Sequence, residues 1–386
     1  MGLDRRGFLS SAATLLAAPR MLFAQADTER RFVLILQRGA ADGLHTVVPY
    51  ADPAYARWRG ALALDASSVL KLDGTFALHP ALTQLRRLYG VGQASFFHAV
   101  ASPYRDRSHF DGQNVLETGG NAPYQLRDGW MNRLLGLLPP TGKRPIAFAP
   151  AVPMVLRGAH EVTSYAPSAL PQASDDLMLR VAQLYAMDPQ LHRLWSSALE
   201  ARGMAAGMAG GHGEQNNRQD PAALGRLVAG FLARVDGPRI ALIETSGWDT
   251  HSAQNQRLDA QLRGLDGLIG GLHQGLGAAW SETAVLVATE FGRTVAVNGT
   301  GGTDHGTGAV SMLLGGLVQG GRVVADWPGL GTTSLLDGRD LRPTLELNAL
   351  ITQTCAELYG LEPERVARVL FPEIAQGASM ARLLRS

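Results

Sequence analysis

Arg31-Phe32-Val33-Leu34-Ile35-Leu36 is followed at once by Gln37-Arg38-Gly39-Ala40-Ala41-Asp42-Gly43. The first six residues are a continuous apolar run without alternation, which predicts a strand covered on both faces. The next seven are small or polar and predict a turn. The same grammar recurs along the chain. Ala94 to Val100 predicts a second strand after a helix-like stretch from Pro80 to Tyr89. Ile240 to Ile243, Thr283 to Ala288 and Val310 to Leu314 predict three more. Leu258, Leu262, Leu265, Ile269, Leu272 and Leu276 recur at spacings of three and four and predict a helix, although glycines weaken it. Strands alternating with helices predict an α/β protein with a mostly parallel sheet.

The ends and composition narrow the setting. Arg5 and Arg6 precede a short apolar run, Leu9 to Ala18, and then Ala24-Gln25-Ala26. A positive start, a short apolar middle and a small-residue cleavage site predict a secretory signal peptide over 1–26. The paired arginines predict the twin-arginine route, hence the translocase as a partner and the periplasm as destination. Residues 27–386 are expected to form one unit with no membrane span. A Gly- and Asn-rich stretch, Ala201 to Asp220, is expected to be a surface loop. Lys and Arg total 35 against 34 Asp and Glu, with no basic block, so nucleic-acid binding is disfavoured. The one cysteine, Cys355, lies in a helical apolar pattern and reads as core. A single cysteine excludes thiolate zinc sites, so any metal must take oxygen and nitrogen ligands.

Each apolar strand runs into a polar cluster, and in open parallel sheets the carboxyl edge gathers ligands from several strand ends. Asp42 follows the first strand, and Ser108 and His109 follow the second. Asp249 and His251 follow the third, Glu290 and Arg293 the fourth, while Asp304 and His305 lie in the glycine loop before the fifth. These carboxylates and imidazoles suit one or two divalent cations. An acid after a strand is equally a helix cap. Asp249 and His251 share one tight turn, beside Trp248, which either stacks on a substrate or packs. His305 sits in a glycine loop, where a core histidine is not expected. His45, His79, His98, His160, His192 and His273 are assigned to packing, capping or surface, and His212 to solvent; His109 is intermediate. Ser108, with Asp111 three residues on, predicts a helix start.

RFVLILQRGAADGLHTVVPY, RSHFDGQ, TSGWDTH, TEFGRT and GGTDHGTG, in this order, resemble the twin-arginine-exported bacterial proteins of domain of unknown function 1501. The resemblance spans Arg31 to the last helix. It implies membership of the alkaline phosphatase-like superfamily, a three-layer α/β/α fold and a metal centre at the carboxyl edge of the sheet. It further implies Asp42, Asp249, His251 and His305 as metal ligands and Ser108 at the place of the nucleophile. Where active relatives carry Asp-His after the fourth strand, this chain has Glu290-Phe291, with Glu290 as the remaining candidate ligand. The implied activity is hydrolysis of a phosphate or sulfate ester, small or glycan-borne, with Zn, Mn, Mg or Ca. Ser108 would attack, and Arg38 or Arg293 would stabilise the charge that builds up. The alternatives are a non-catalytic descendant binding a glycan, envelope component or protein, and a mutase-like reaction.

Replacing Arg5 and Arg6 together with Lys is expected to trap the precursor inside the cell, because two ammonium groups do not reproduce a guanidinium pair. Cell fractionation checks this, and unchanged export of the double variant overturns the assignment.

Overall fold

The computed structural model describes residues 29–140, 143–166, 181–182, 184–206, 220–374 and 380–385. The expected signal peptide lies outside the described residues. Twelve strands are present among them: β1 (Arg31–Gln37), β2 (Val47–Val48), β3 (Leu70–Lys71), β4 (Ala77–Leu78), β5 (Ala94–Ala101), β6 (Ile146–Phe148), β7 (Thr163–Ser164), β8 (Ile240–Thr245), β9 (Thr283–Thr289), β10 (Ala309–Leu314), β11 (Arg322–Val324) and β12 (Leu345–Glu346). β2, β4 and β3 form a small antiparallel sheet. The other nine form the main sheet, in the order β11-β5-β10-β9-β1-β8-β6-β7 with β12 added beside β5.

β1 lies at the centre, parallel to both β8 and β9. It is buried along its whole length, as its unbroken apolar run requires. Its side chains alternate between two cores. Val33 and Ile35 face one layer, built from the helices Thr83–Gly90, Pro221–Ala233 and Gln254–Leu276. Phe32, Leu34 and Leu36 face the other, where helices Trp130–Leu135, Leu347–Tyr359 and Pro363–Leu370 pack. The molecule is thus a three-layer α/β/α sandwich. Cys355 is buried in the second core. The Gln254–Leu276 helix runs unbroken through its glycines. Gly225 of the neighbouring helix and Gly271 are where the two helices touch backbone to backbone, so glycine here serves close packing.

β10 is antiparallel to both of its neighbours, β9 and β5, and is the one reversed strand of the main sheet. Its beginning therefore lies at the edge where the parallel strands end. Among the described residues no helix is long and apolar enough to cross a membrane. The first part of the stretch expected to be a loop is helical: Pro189–Ala206 continues through Ala201–Ala206, whose alanines and methionine favour helix. The rest of that stretch, with His212, lies outside the described residues up to 219.

The turn after β1 differs from the expectation. Asp42 is 1% exposed and caps the short Gly43–Thr46 helix, accepting the His45 N–H at 3.2 Å. Both of its oxygens also accept from the Arg59 guanidinium, one of them from Nη2 at 2.9 Å, and Gln254 Nε2 donates at 2.6 Å. Burial opposes ionisation of Asp42, but the Arg59 charge outweighs it and holds the pKa below the usual carboxylate range. Asp42 is therefore a buried structural anion rather than an open metal ligand. The Asp42→Asn variant should leave Arg59 buried without its counter-charge and cost about 3–5 kcal/mol of unfolding free energy. In the wild type, this stabilisation is present above the ordinary carboxylate pKa and is lost as pH falls towards the lowered one. Denaturant melts of both proteins across acidic pH check the size and the sign.

Candidate metal centre

Four side chains meet at the carboxyl edge. His109 opens the His109–Thr118 helix after β5, Asp249 and His251 lie in the turn after β8, and His305 precedes β10. Ligand atoms of His109, Asp249 and His305 all lie within 4.8 Å of one another. His251 joins them, with its Nε2 2.9 Å from Asp249 Oδ1 and 3.0 Å from His305 Nε2. His305 Nε2 is 3.3 Å from Asp249 Oδ1, and His109 Nε2 is 3.4 Å from Asp249 Oδ2.

The outer nitrogens decide what the inner ones can do. His109 Nδ1 faces Glu290 Oε1 at 2.8 Å, His251 Nδ1 faces Asp304 Oδ1 at 3.2 Å, and His305 Nδ1 faces the Arg107 carbonyl at 2.9 Å. Each partner is an acceptor, so each Nδ1 carries the proton. In the neutral rings, Nε2 then presents a lone pair towards Asp249. Three lone pairs and a carboxylate converging on one point repel one another until a cation lies among them. His109 Nε2 is accordingly buried with no hydrogen-bond donor. Acceptors behind metal-binding imidazoles are the usual device for fixing tautomer and aim. The donor set, three nitrogens and an oxygen, fits a borderline cation such as zinc.

The surroundings fix this geometry. Phe291 stacks on His109 with ring centroids 5.1 Å apart. Glu290 is buried and accepts from the Gly39 N–H at 2.9 Å and Gln113 Nε2 at 3.1 Å. Burial opposes its charge, but the His109 bond and these donors outweigh it and lower its pKa. Burial also works against ionisation of Asp249, yet Arg293, bonded through Nη1 at 2.6 Å, holds its pKa below the usual value. The Glu290 bond raises the His109 pKa, whereas burial lowers that of His305. Gly39, at φ 118°, passes so close that a Cβ would stand 2.6 Å from the Asp249 nitrogen. No other residue type allows that approach.

The expected site residues thus divide. Asp249, His251 and His305 come together, and His109 completes the set. Glu290 stands behind His109 rather than among the inner atoms. Asp42 is held apart and linked to Asp249 through Gln254, Thr303 and Arg293: Gln254 Oε1 accepts from Thr303 Oγ1 at 2.7 Å, and Arg293 Nε donates to that hydroxyl at 3.1 Å. Arg293 also donates to the Thr303 carbonyl and is buried, so it aims Asp249 and is not open to a substrate. Arg38 is spent on two carboxylates, Glu117 at 2.9 Å and Glu244 at 2.7 Å. Neither arginine stands free to meet a transferred group, contrary to the sequence expectation. Ser108 occupies the helix N-cap without a side-chain cap bond, and its own N–H donates to Tyr104 Oη at 3.0 Å. Trp248 is buried and donates to Thr245 Oγ1 at 3.0 Å, so it packs rather than stacks on a ligand.

Residues 29–370 match the family described as protein of unknown function (DUF1501). The chain belongs to the DUF1501 family. A comparison with curated proteins finds no match to this DUF1501 protein. Among solved structures, it is similar to Ps i-CgsB in complex with k-i-k-neocarrahexaose, at 11% identity and TM-score 0.43 over 87% of this chain and 73% of that one. It is also similar to the zinc complex of the C-terminal periplasmic domain of EcEptC from Escherichia coli, at 10% identity and TM-score 0.41 over 91% and 88%. A 2-O GAG sulfatase aligns at 14% identity and TM-score 0.38 over 92% and 76%. The geometry of the centre stands without them.

Two outcomes follow from the aim of the imidazoles. Glu290→Gln should weaken metal binding about 10–100-fold while the protein stays folded; competition against a chelator of known affinity measures it. An imidazole binds a cation only in its deprotonated form, so protons compete with the cation. The gain in melting temperature on adding zinc should therefore shrink as pH falls through the imidazole range. A gain that grows on acidification contradicts the ligand set.

Proposed function

We propose that this DUF1501 protein is a metal-dependent hydrolase of phosphate or sulfate esters that works in the periplasm after twin-arginine export. The observation that carries the reading is the convergence of three imidazole Nε2 atoms on Asp249, each ring pinned from behind by an acceptor. A divalent cation bound there would supply Lewis-acid stabilisation of charge on an ester oxygen and of an ionised nucleophile.

Ser108 is the nucleophile in this proposal. It directly precedes His109, is half-buried, and its hydroxyl is not consumed as a cap. The first-turn amides of His109, Phe110 and Asp111 precede the first intrahelical bond and favour an oxyanion at this helix end. They take the part expected of Arg38 and Arg293. Ser108 Oγ would form a bond to phosphorus or sulfur as the bond to the alcohol oxygen breaks. The alcohol departs with a proton, and water then cleaves the seryl ester to release phosphate or sulfate. Asp304 and Glu290 hold the rings of His251 and His109 through both steps. The Asp42-to-Arg293 chain keeps Asp249 in place.

A second reading is a binding protein that keeps the metal and turns nothing over. The pairing of both Arg38 and Arg293 with carboxylates favours it, since no free guanidinium remains at the site from either.

Zinc- or manganese-loaded protein assayed on aryl phosphates, phosphodiesters and sulfates separates the two. Under the hydrolase reading, Ser108→Ala retains metal while turnover falls by several orders of magnitude, and Asp249→Asn loses both. Metal at full stoichiometry with no turnover of any ester supports the binding reading. Undiminished turnover by a metal-loaded Ser108→Ala protein removes Ser108 from the mechanism.

A further inference from the structure

Arg107 stands between β5 and the His109–Thr118 helix at φ 63°, in the left-handed region that a residue with a long side chain seldom adopts. The peptide that joins it to Ser108 is fixed at both ends. Its carbonyl accepts from His305 Nδ1 at 2.9 Å, and its N–H, that of Ser108, donates to Tyr104 Oη at 3.0 Å. One peptide unit thus connects the ligand His305 to the residue just ahead of the ligand His109. A backbone in an unfavoured conformation persists only where its surroundings hold it.

The hold on Arg107 comes from a turn more than two hundred residues away. Arg107 Nε donates to Asp340 Oδ2 at 2.8 Å, and Nη2 lies 2.7 Å from the same oxygen. Nη2 also reaches Asp337 Oδ2 at 3.2 Å. The two acids differ in setting. Asp337 is exposed, and an ion pair there contributes little. Asp340 is fully buried, and its backbone is locked: its N–H donates to the Leu336 carbonyl at 3.0 Å, and its carbonyl accepts from the Leu336 N–H at 2.9 Å. The Leu341 carbonyl accepts from the Gly308 N–H at 3.1 Å and from Thr307 Oγ1 at 3.0 Å, which stitches the turn to the loop that carries His305. Arg339 lies with its Nη1 3.4 Å from Asp340 Oδ1, and its Nη2 donates to the His305 carbonyl at 2.6 Å. These contacts form a closed circuit. It leaves His305 by Nδ1, passes through Arg107 and Asp340, and returns from Arg339 to the His305 carbonyl.

We propose that Asp340 is a positioning residue of the metal centre, acting through Arg107. Its grip on the guanidinium keeps the Arg107 carbonyl in front of His305 Nδ1, so the ring proton stays there and Nε2 keeps its lone pair. Glu290 and Asp304 fix the rings of His109 and His251 directly, as charged acceptors. His305 has a peptide carbonyl behind it instead, a neutral acceptor on a backbone that is free to turn away unless held. Asp340 supplies that hold from a buried and rigid turn. This role rests on the metal-centre reading for the use of Nε2 and is independent of it for the fixing of Nδ1.

Histidine-selective nitrogen NMR on the metal-free full chain, at a pH where the rings are neutral, reads the tautomer directly. The His305 signals are those that vanish in His305→Gln. The wild type should show the Nδ1–H form. Asp340→Asn should convert a substantial part of His305 to the Nε2–H form. It should also weaken zinc binding roughly tenfold in chelator competition, the lower end of the effect of partners behind a ligand. Arg107→Lys keeps the charge but loses the two-nitrogen grip on Asp340 Oδ2, and should shift both readouts in the same direction. Asp337→Asn should leave both at wild-type values. If Asp340→Asn does not fold, Arg107→Lys carries the test with the same outcomes. A lowered melting temperature with the His305 tautomer unchanged makes the ion pair a brace of the fold alone and overturns the proposal. A wild type already in the Nε2–H form, or equal effects of Asp337→Asn and Asp340→Asn, overturns it as well. If the tautomer shifts as expected while the wild type binds no zinc, the positioning of His305 stands and the metal reading falls.

Discussion

β10 pairs with β9 on one side and β5 on the other, antiparallel to both, while the remaining strands of the main sheet share one direction. A strand that starts where its neighbours finish delivers the residue before it, His305, to the edge that receives the residues after β5 and β8. Without that reversal, His305 would lie at the far side of the sheet from Asp249 and His251. Strand polarity is set by backbone hydrogen bonds deep in the core, where β9 and β10 are fully buried. The convergence of the imidazoles is therefore enforced by buried backbone pairing.

A second constraint acts at the level of single protons. A neutral imidazole has one N–H, and whichever neighbour accepts it decides which nitrogen keeps the lone pair. Glu290, Asp304 and the Arg107 carbonyl make that decision in the same sense for all three rings. Glu290 is in turn fixed by Gln113 and the Gly39 N–H. Gly39 belongs to the turn that follows β1. The small residues there serve contact as well as turning, since Gly39 lies against Asp249.

Much of this was legible from residue types alone. Apolar runs with no polar face marked β1, β5, β8, β9 and β10, because a strand covered on both sides has nowhere to put a charge. Histidines beside acids or glycines in turns marked His251 and His305. Asp42 looked the same on paper as a ligand would, an acid immediately after a strand. What distinguishes it is Arg59, seventeen residues further on, and Gln254, far beyond that; neither partner announces itself locally. His109 was overshadowed by Ser108, although a histidine at the first position of a helix that follows a strand is as well placed as the serine. The roles of Arg38 and Arg293 were hidden for the same reason as that of Asp42. A guanidinium near a site attracts functional interpretation, and only the fold reveals which carboxylates have already neutralised it.

The four inner ligands are supplied by segments around 109, 249–251 and 305, with more than fifty residues between successive segments. None of these segments holds more than two of the ligands, and two are too few to retain a cation firmly. Capture of an ion there would consequently be a late event that awaits closure of the sheet, not a seed around which the chain collapses. Divalent ions compete for such sites according to their local abundance as much as their intrinsic affinity. A cation taken up there would thus be selected at the moment the last strand docks, from whichever divalent ions then surround the chain.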